Sequence, residues 1–86
     1  MNIKQSIISE HTKEQLVFRG ATEEEIIEAI STSSWQPAEL GRMECRKDFV
    51  FENYWNKKYY KTKQVRPIFV KEDNKIIVIT VYTYFF

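Results

Sequence analysis

Few side chains in this sequence can move protons or hold phosphate, and that scarcity narrows the chemistry. There is one histidine, His11, and one cysteine, Cys45. One imidazole and one thiol do not make up a transition-metal ligand set, and a lone cysteine forms no disulfide within the chain. The only glycines are Gly20 and Gly41, too far apart for a glycine-rich phosphate loop. What remains is His11, the 13 lysines and arginines, and the hydroxyls of Thr80, Tyr82 and Tyr84. These types suffice for one reaction. RNA is cleaved without a metal when its own 2′-hydroxyl attacks the neighbouring phosphate. That step needs a proton acceptor, a proton donor and cations around the crowded phosphate. His, Tyr, Arg and Lys fill those roles. A lone histidine near a helix start also has an ordinary role, as a cap or a hydrogen bond between helix and sheet.

The formal net charge is +1, and it conceals a division. Residues 1–41 carry three basic side chains against seven acidic ones, a net of −4. Residues 42–66 carry Arg42, Arg46, Lys47, Lys57, Lys58, Lys61, Lys63 and Arg66 against Glu44, Asp48 and Glu52, a net of +5. The basic stretch is a candidate surface for phosphate or for an acidic partner. It is equally the solvated face of a sheet whose basic residues discourage edge pairing. Within it, Tyr54 to Lys63 interleaves aromatic and basic residues. Aromatic rings stack bases while cations meet phosphates; the same alternation is also that of an ordinary amphipathic strand.

The elements that must position these groups are short. At 86 residues the chain has room for one domain, which buries only about 60–65% of its unfolded surface. Its 15% aromatic content supplies the bulk such a core needs. A disulfide-free small domain fits a reducing, cytoplasmic setting. The start, MNIKQSIISEH, lacks the apolar run of a signal peptide, and no stretch is long enough to span a membrane. Ser9 caps a first helix that runs to about Phe18 and stops at Gly20. Thr22 with Glu25 forms a capping box for a second helix, whose apolar stripe is Ile26, Ile27 and Ile30. Trp35 to Gly41 reads as a loop.

From Arg42 the pattern changes to period two, with Met43, Cys45, Lys47, Phe49 and Phe51 alternating with Arg42, Glu44, Arg46, Asp48 and Val50. A turn is expected at Glu52-Asn53, a second strand over Tyr54–Lys63, with Asn56-Lys57 as a candidate interruption, and a third over Val65–Lys71. Pro67 marks that third strand as an edge or as carrying a bulge. After a turn at Glu72-Asp73-Asn74-Lys75, the run Ile76–Phe85 is β-branched enough to be the sheet's centre. Alternation sends Ile77, Ile79, Val81 and Phe85 toward the helices and Val78, Thr80, Tyr82 and Tyr84 away. The expected fold is α+β, with two N-terminal helices on one face of a three- to four-stranded antiparallel sheet. Ile26, Ile30, Ile77, Ile79 and Val81 would share its core. If the polar faces coincide, Arg46, Thr80 and Tyr82 converge, and His11 joins them only from the end of its helix at the sheet rim.

The segment from His11 through Arg19-Gly20 to Thr22-Glu23-Glu24-Glu25-Ile26 resembles the opening of the domain-of-unknown-function family four-two-five-eight. Lys75-Ile76-Ile77-Val78-Ile79-Thr80-Val81-Tyr82 resembles its closing strand. The middle, Arg46-Lys47-Asp48-Phe49 through Val65-Arg66-Pro67-Ile68-Phe69-Val70, looks like a cyanobacterial-type branch of it. That family is similar to the barnase, EndoU, colicin and RelE superfamily of small metal-independent ribonucleases, many of them toxins of toxin–antitoxin pairs. The resemblance implies two helices on an antiparallel sheet with a site on the sheet's other face, and it falls on His11, Arg19, Thr80 and Tyr82. It departs at Gln15, where relatives often carry Arg.

The resulting expectation is a toxin-like endoribonuclease without cofactor or metal, acting on RNA and masked by a cognate antitoxin protein. His11, Arg46, Thr80 and Tyr82 are its catalytic candidates. Arg19, Lys47, Lys61, Lys63 and Arg66 are its RNA-binding candidates. The alternative is a non-catalytic RNA- or protein-binding module on the same scaffold, which Gln15 and the scarcity of acid–base groups favour.

Overall fold

The structure is a computed structural model that describes residues 5–86; Lys4, counted among the basic side chains above, lies outside them. The order is β1 (Gln5–Ile8), α1 (Glu10–Arg19), α2 (Glu23–Thr32), β2 (Gln36–Pro37), β3 (Met43–Glu44), β4 (Lys47–Trp55), β5 (Lys58–Glu72) and β6 (Lys75–Phe85). Both helices start and stop where their caps dictate. The Ser9 side chain accepts from the Thr12 N–H, and Gly20 at φ 72° donates its N–H to the Leu16 carbonyl. No other residue enters that left-handed position so cheaply. Gly20 is also crowded: a Cβ there would lie 3.0 Å from the rings of Phe85 and Trp55. In α2, Thr22 and Glu25 satisfy each other's backbone N–H groups in a capping box, and Ile26, Ala29 and Ile30 are buried.

The six strands form one mixed sheet in the order β1-β6-β5-β3-β2, with β4 also paired to β5. This corrects the expected three- to four-stranded, wholly antiparallel sheet. Residues 5–8 form an additional strand, β1, parallel to the start of β6. Gln36–Pro37, within the expected loop, form β2 against β3, and the expected first strand is divided between β3 and β4. From Lys58 onward the expected second and third strands are one 15-residue strand. The turn falls at Asn56-Lys57, both at positive φ (50° and 70°), which is the type I′ geometry that matches strand twist. It does not fall at Glu52-Asn53. There β4 takes a bulge instead, with Glu52 at φ 45°.

β5, not β6, is the sheet's centre. It pairs with β6 along one flank and with β4 and then β3 along the other. Pro67 survives in a central strand because its neighbours part there. Pairing to β4 ends at Val65 and pairing to β3 begins at Ile68, so no ladder hydrogen bond on that flank is lost at Pro67.

A bulge in β6 overturns the expected facing of that strand. Ile68 pairs with Thr80 but Phe69 pairs with Val78, leaving Ile79 without a partner. One extra residue exchanges the two faces of everything before it. Ile76 and Val78 therefore join Val81 in the core, while Ile77 and Ile79 are only half-buried. The Thr12 hydroxyl, in a buried residue, donates to the Ile79 carbonyl at 2.9 Å and ties α1 to the bulge. The core beneath the helices comprises Leu16, Ala21, Ile26, Ala29 and Ile30 against Cys45, Val65, Phe69, Ile76, Val78 and Val81. Trp35 closes its rim edge-on to Phe69 at 4.9 Å and donates its indole N–H to the Ile30 carbonyl.

Candidate nucleic-acid interface

Beyond the bulge, Thr80, Tyr82 and Tyr84 point away from the helices. Across the ladder they face Ile68, Arg66 and Gln64 respectively, and Glu44 of β3 faces Ile68 in turn. Register alone thus assembles a polar floor on the sheet's outer side. Arg66 is its centre. Its Nε donates to the Glu44 carboxylate at 2.8 Å, its Nη2 donates to the same oxygen, and its Nη1 donates to the Tyr84 hydroxyl at 3.1 Å. The Glu44 hydrogen bonds first, and the Tyr84 one after them, raise the Arg66 pKa above its already high value, so the guanidinium is a permanent charge. It lies 5.5 Å from the centroid of the Tyr82 ring.

Arg19, the last residue of α1, reaches the same ring from the sheet's rim, 5.2 Å from its centroid. It can do so because β1 covers only the first part of β6, Lys75 to Val78. Past that point α1 runs beside β6 and no strand among the described residues flanks it. Arg42, Glu44, Arg66, Ile68, Thr80 and Tyr82 line a cleft of about 560 Å³, walled by the turn Pro37–Leu40. The turn is held by the Ala38 N–H on the Arg42 carbonyl at 2.8 Å. Leu40, at φ 60° and 85% exposed, holds a left-handed backbone conformation at the cleft wall.

The candidate residues divide between the two sides of the sheet. Arg19, Arg66, Thr80 and Tyr82 come together. Arg46 is one step removed: it lines a neighbouring depression with Ser34, Gln36 and Cys45, and approaches Glu44 at 3.9 Å. His11 is exposed, and its ring Nε2 lies 3.1 Å from the Gln15 amide nitrogen. With Gln15 and Arg19 it makes an i, i+4, i+8 stripe on α1, which places it about 12 Å along the helix axis from Arg19.

Lys63 and Lys47 are on the helix side, a correction to their grouping with a nucleic-acid surface. Lys63 is 7% exposed; its Nζ lies 2.7 Å from Glu25 and donates to the Gly20 carbonyl at 2.9 Å. Lys47 meets Glu28 at 3.5 Å and the Thr32 hydroxyl at 3.0 Å. The charge division of the sequence is therefore partly internal, an acidic helix docked on basic strands. Lys61 is exposed.

Glu44 and Arg42 complete the cleft and Tyr84 holds Arg66 beside it; none of the three was among the catalytic or RNA-binding candidates. Glu44 and Arg42 share the charged parity of the strand that begins at Arg42, and Tyr84 shares that of Thr80 and Tyr82. The parity was legible, but the partner each side chain would find across the ladder was not. Cys45, next to Glu44 but turned into the core, is 2% exposed. Burial, and after it the neighbouring Glu44 charge, pushes its thiol up to about 11, which keeps it protonated and unreactive. No helix among the described residues is long and apolar enough to cross a membrane. No protein-family model, curated protein or solved structure matches the chain.

Proposed function

We propose that the chain is a toxin-like endoribonuclease that needs no metal, and that the outer cleft is where RNA is cleaved by its own 2′-hydroxyl. The observation that carries this reading is the approach of two guanidiniums, Arg19 and Arg66, to the ring of Tyr82 beside Thr80. Two fixed cations offset the charge that accumulates on a phosphate under attack. In this reading Tyr82, 40% exposed, donates a proton to the departing 5′-oxygen, the 2′-hydroxyl proton passes to water, and the Thr80 hydroxyl donates to a phosphate oxygen. Arg46 supplies a further cation from the adjoining depression. The family resemblance of the two chain ends supports the same reading and adds a cognate antitoxin as the partner that masks the cleft.

A second reading has its own observation. Glu44 already occupies two of the Arg66 donors and sets a negative charge in the cleft, which favours a non-catalytic binding module over a phosphate trap. Cleavage of single-stranded RNA in EDTA separates the two. The first reading expects products ending in a 2′,3′-cyclic phosphate, and a loss of at least about tenfold in Tyr82→Phe with the fold intact. RNA that is bound but never cut supports the second.

A further inference from the structure

The β4–β5 hairpin tip is left unused by the cleft, yet it has the strongest aromatic and basic content in the chain. Its register pairs Asn53 with Tyr60, Tyr54 with Tyr59 and Trp55 with Lys58. Alternation therefore divides it into two sides. On one side Trp55 stacks on Phe85 at 5.1 Å and 15°, Tyr60 lies 5.6 Å from the same ring, and Lys58 lies over Tyr60. This side anchors the hairpin to the body next to Gly20.

On the other side Tyr54 and Tyr59 form an edge-to-face pair at 5.5 Å and 74°. Among the described residues they stay open, 68% and 47% exposed. Lys61, exposed and two residues from Tyr59, stands opposite the β4 bulge, and Lys57 stands in the turn. Lys47, Lys63 and Arg66 each have a carboxylate partner. Lys57, Lys58 and Lys61 have none among the described residues. Over residues 52–61 the three lysines face one acid, Glu52.

We propose that this tip is a second binding site, for single-stranded nucleic acid, in which Tyr54 and Tyr59 stack bases and Lys57 and Lys61 meet phosphates. The unpaired lysines select a polyanion, and the open ring faces select one whose bases are unstacked. An acidic protein segment would satisfy the lysines but leave the rings exposed. A duplex would hide its bases. The tip rests on the cleft reading only for the identity of the strand as RNA; binding at the tip requires no cleavage.

The test is fluorescence anisotropy with a labelled oligodeoxythymidylate of about ten nucleotides, the span of a typical single-strand site. It lacks the 2′-hydroxyl and so cannot be cut by the proposed chemistry. Replacing both Tyr54 and Tyr59 with Leu keeps an apolar cross-strand pair, and the fold, while removing the ring faces. That variant is expected to bind at least about tenfold more weakly, at roughly 1–3 kcal/mol per stacked base. Replacing both with Phe is expected to bind as the parent does. Lys57→Gln with Lys61→Gln should reduce the log–log salt slope by about 1.4, two phosphates at about 0.7 each. Parent-like binding by the Leu variant overturns the proposal. So does poly-glutamate binding as tightly as the oligonucleotide. Loss of binding in the Leu variant while the parent cuts no RNA removes the cleft reading and leaves the tip standing. RNA cleaved normally by a protein whose Leu variant binds normally does the reverse.

Discussion

Lys63 and Arg66 stand three residues apart on β5, and their surroundings show how one strand serves two purposes. Lys63 faces the helices, where its ammonium is buried between Glu25 and the Gly20 carbonyl. Those partners belong to the α2 capping box and the α1 C-cap, so a single lysine ties both helix ends to the sheet. Arg66 faces outward. It too has a carboxylate partner, but its guanidinium borders a cleft and lies beside an aromatic ring. The difference lies in what else is in reach: on the inner side every donor is enclosed by protein, whereas on the outer side some remain open to a ligand. A basic residue in this sequence signals function only after its carboxylate partners are known.

The largest effect that could break this comparison is on the inner side. Lys63→Met should destabilise by about 3 kcal/mol, because it strands a largely buried Glu25 charge. In a domain of this size the melting temperature should fall by something on the order of 15 °C. Adding Glu25→Gln should recover part of the loss. If Lys63→Met instead melts like the parent and binds RNA more weakly, the two faces have been assigned the wrong way round.

A somewhat smaller effect separates Cys45 from Glu44, neighbours that point to opposite sides. The Cys45 thiol ionises near 9 when unfolded and at about 11 in the fold. Its contribution is complete below pH 9. It is lost as pH rises toward 11, because the unfolded chain sheds the proton first. By pH 10.5 the loss should reach about 2 kcal/mol, roughly one and a half pKa units at about 1.4 kcal/mol each. It should be seen as a steeper alkaline fall in stability for the parent than for Cys45→Ala. Equal slopes in denaturant titrations at pH 8 and pH 10.5 would show that the thiol is not enclosed.

The same contrast explains what the sequence made legible. The helix ends were readable because caps are local: Ser9, Gly20 and Thr22 with Glu25 act within a turn of themselves. The bulges were not, since the sign of one is only that Ile79 finds no partner, and pairing is a long-range fact. Nor was β1, since four residues, Gln5-Ser6-Ile7-Ile8, carry no period that identifies a strand whose partner lies some seventy residues on. Thr80 and Tyr82 were assigned to the correct face because they lie beyond the bulge, on the side where parity is preserved. Lys63 and Lys47 were misgrouped because charge was read as surface, and the acids that neutralise them are on α2.

On the outer face the effects should be smaller and confined to activity. Tyr82→Phe removes one hydroxyl and keeps the ring between the guanidiniums. It should lower RNase activity at least about tenfold, near 1.4 kcal/mol, with a melting temperature close to the parent's. Arg46→Ala should do the same through the adjoining depression. Parallel losses of stability and activity would mean that the outer face is as structural as the inner one.

His11→Ala should have the smallest effect on stability, and it sharpens the comparison most finely. Two ordinary roles were open to this histidine, capping its helix or bonding the helix to the sheet. Ser9 performs the first and Thr12 the second. His11 itself is exposed, and its side-chain hydrogen-bond partner among the described residues is Gln15, so its removal should shift stability by no more than about 0.5 kcal/mol. A stability effect being absent, any change in cleavage rate reports on chemistry. Because His11 is about two turns from Arg19 on the same stripe, a contribution would have to come from beside the bulge, next to Thr80, not from beside Tyr82. The measurement is a pH–rate profile for His11→Ala against the parent. Loss of a limb of the profile would bring His11 into the cleft's machinery. An unchanged profile would leave cleavage to Tyr82 and its two guanidiniums alone.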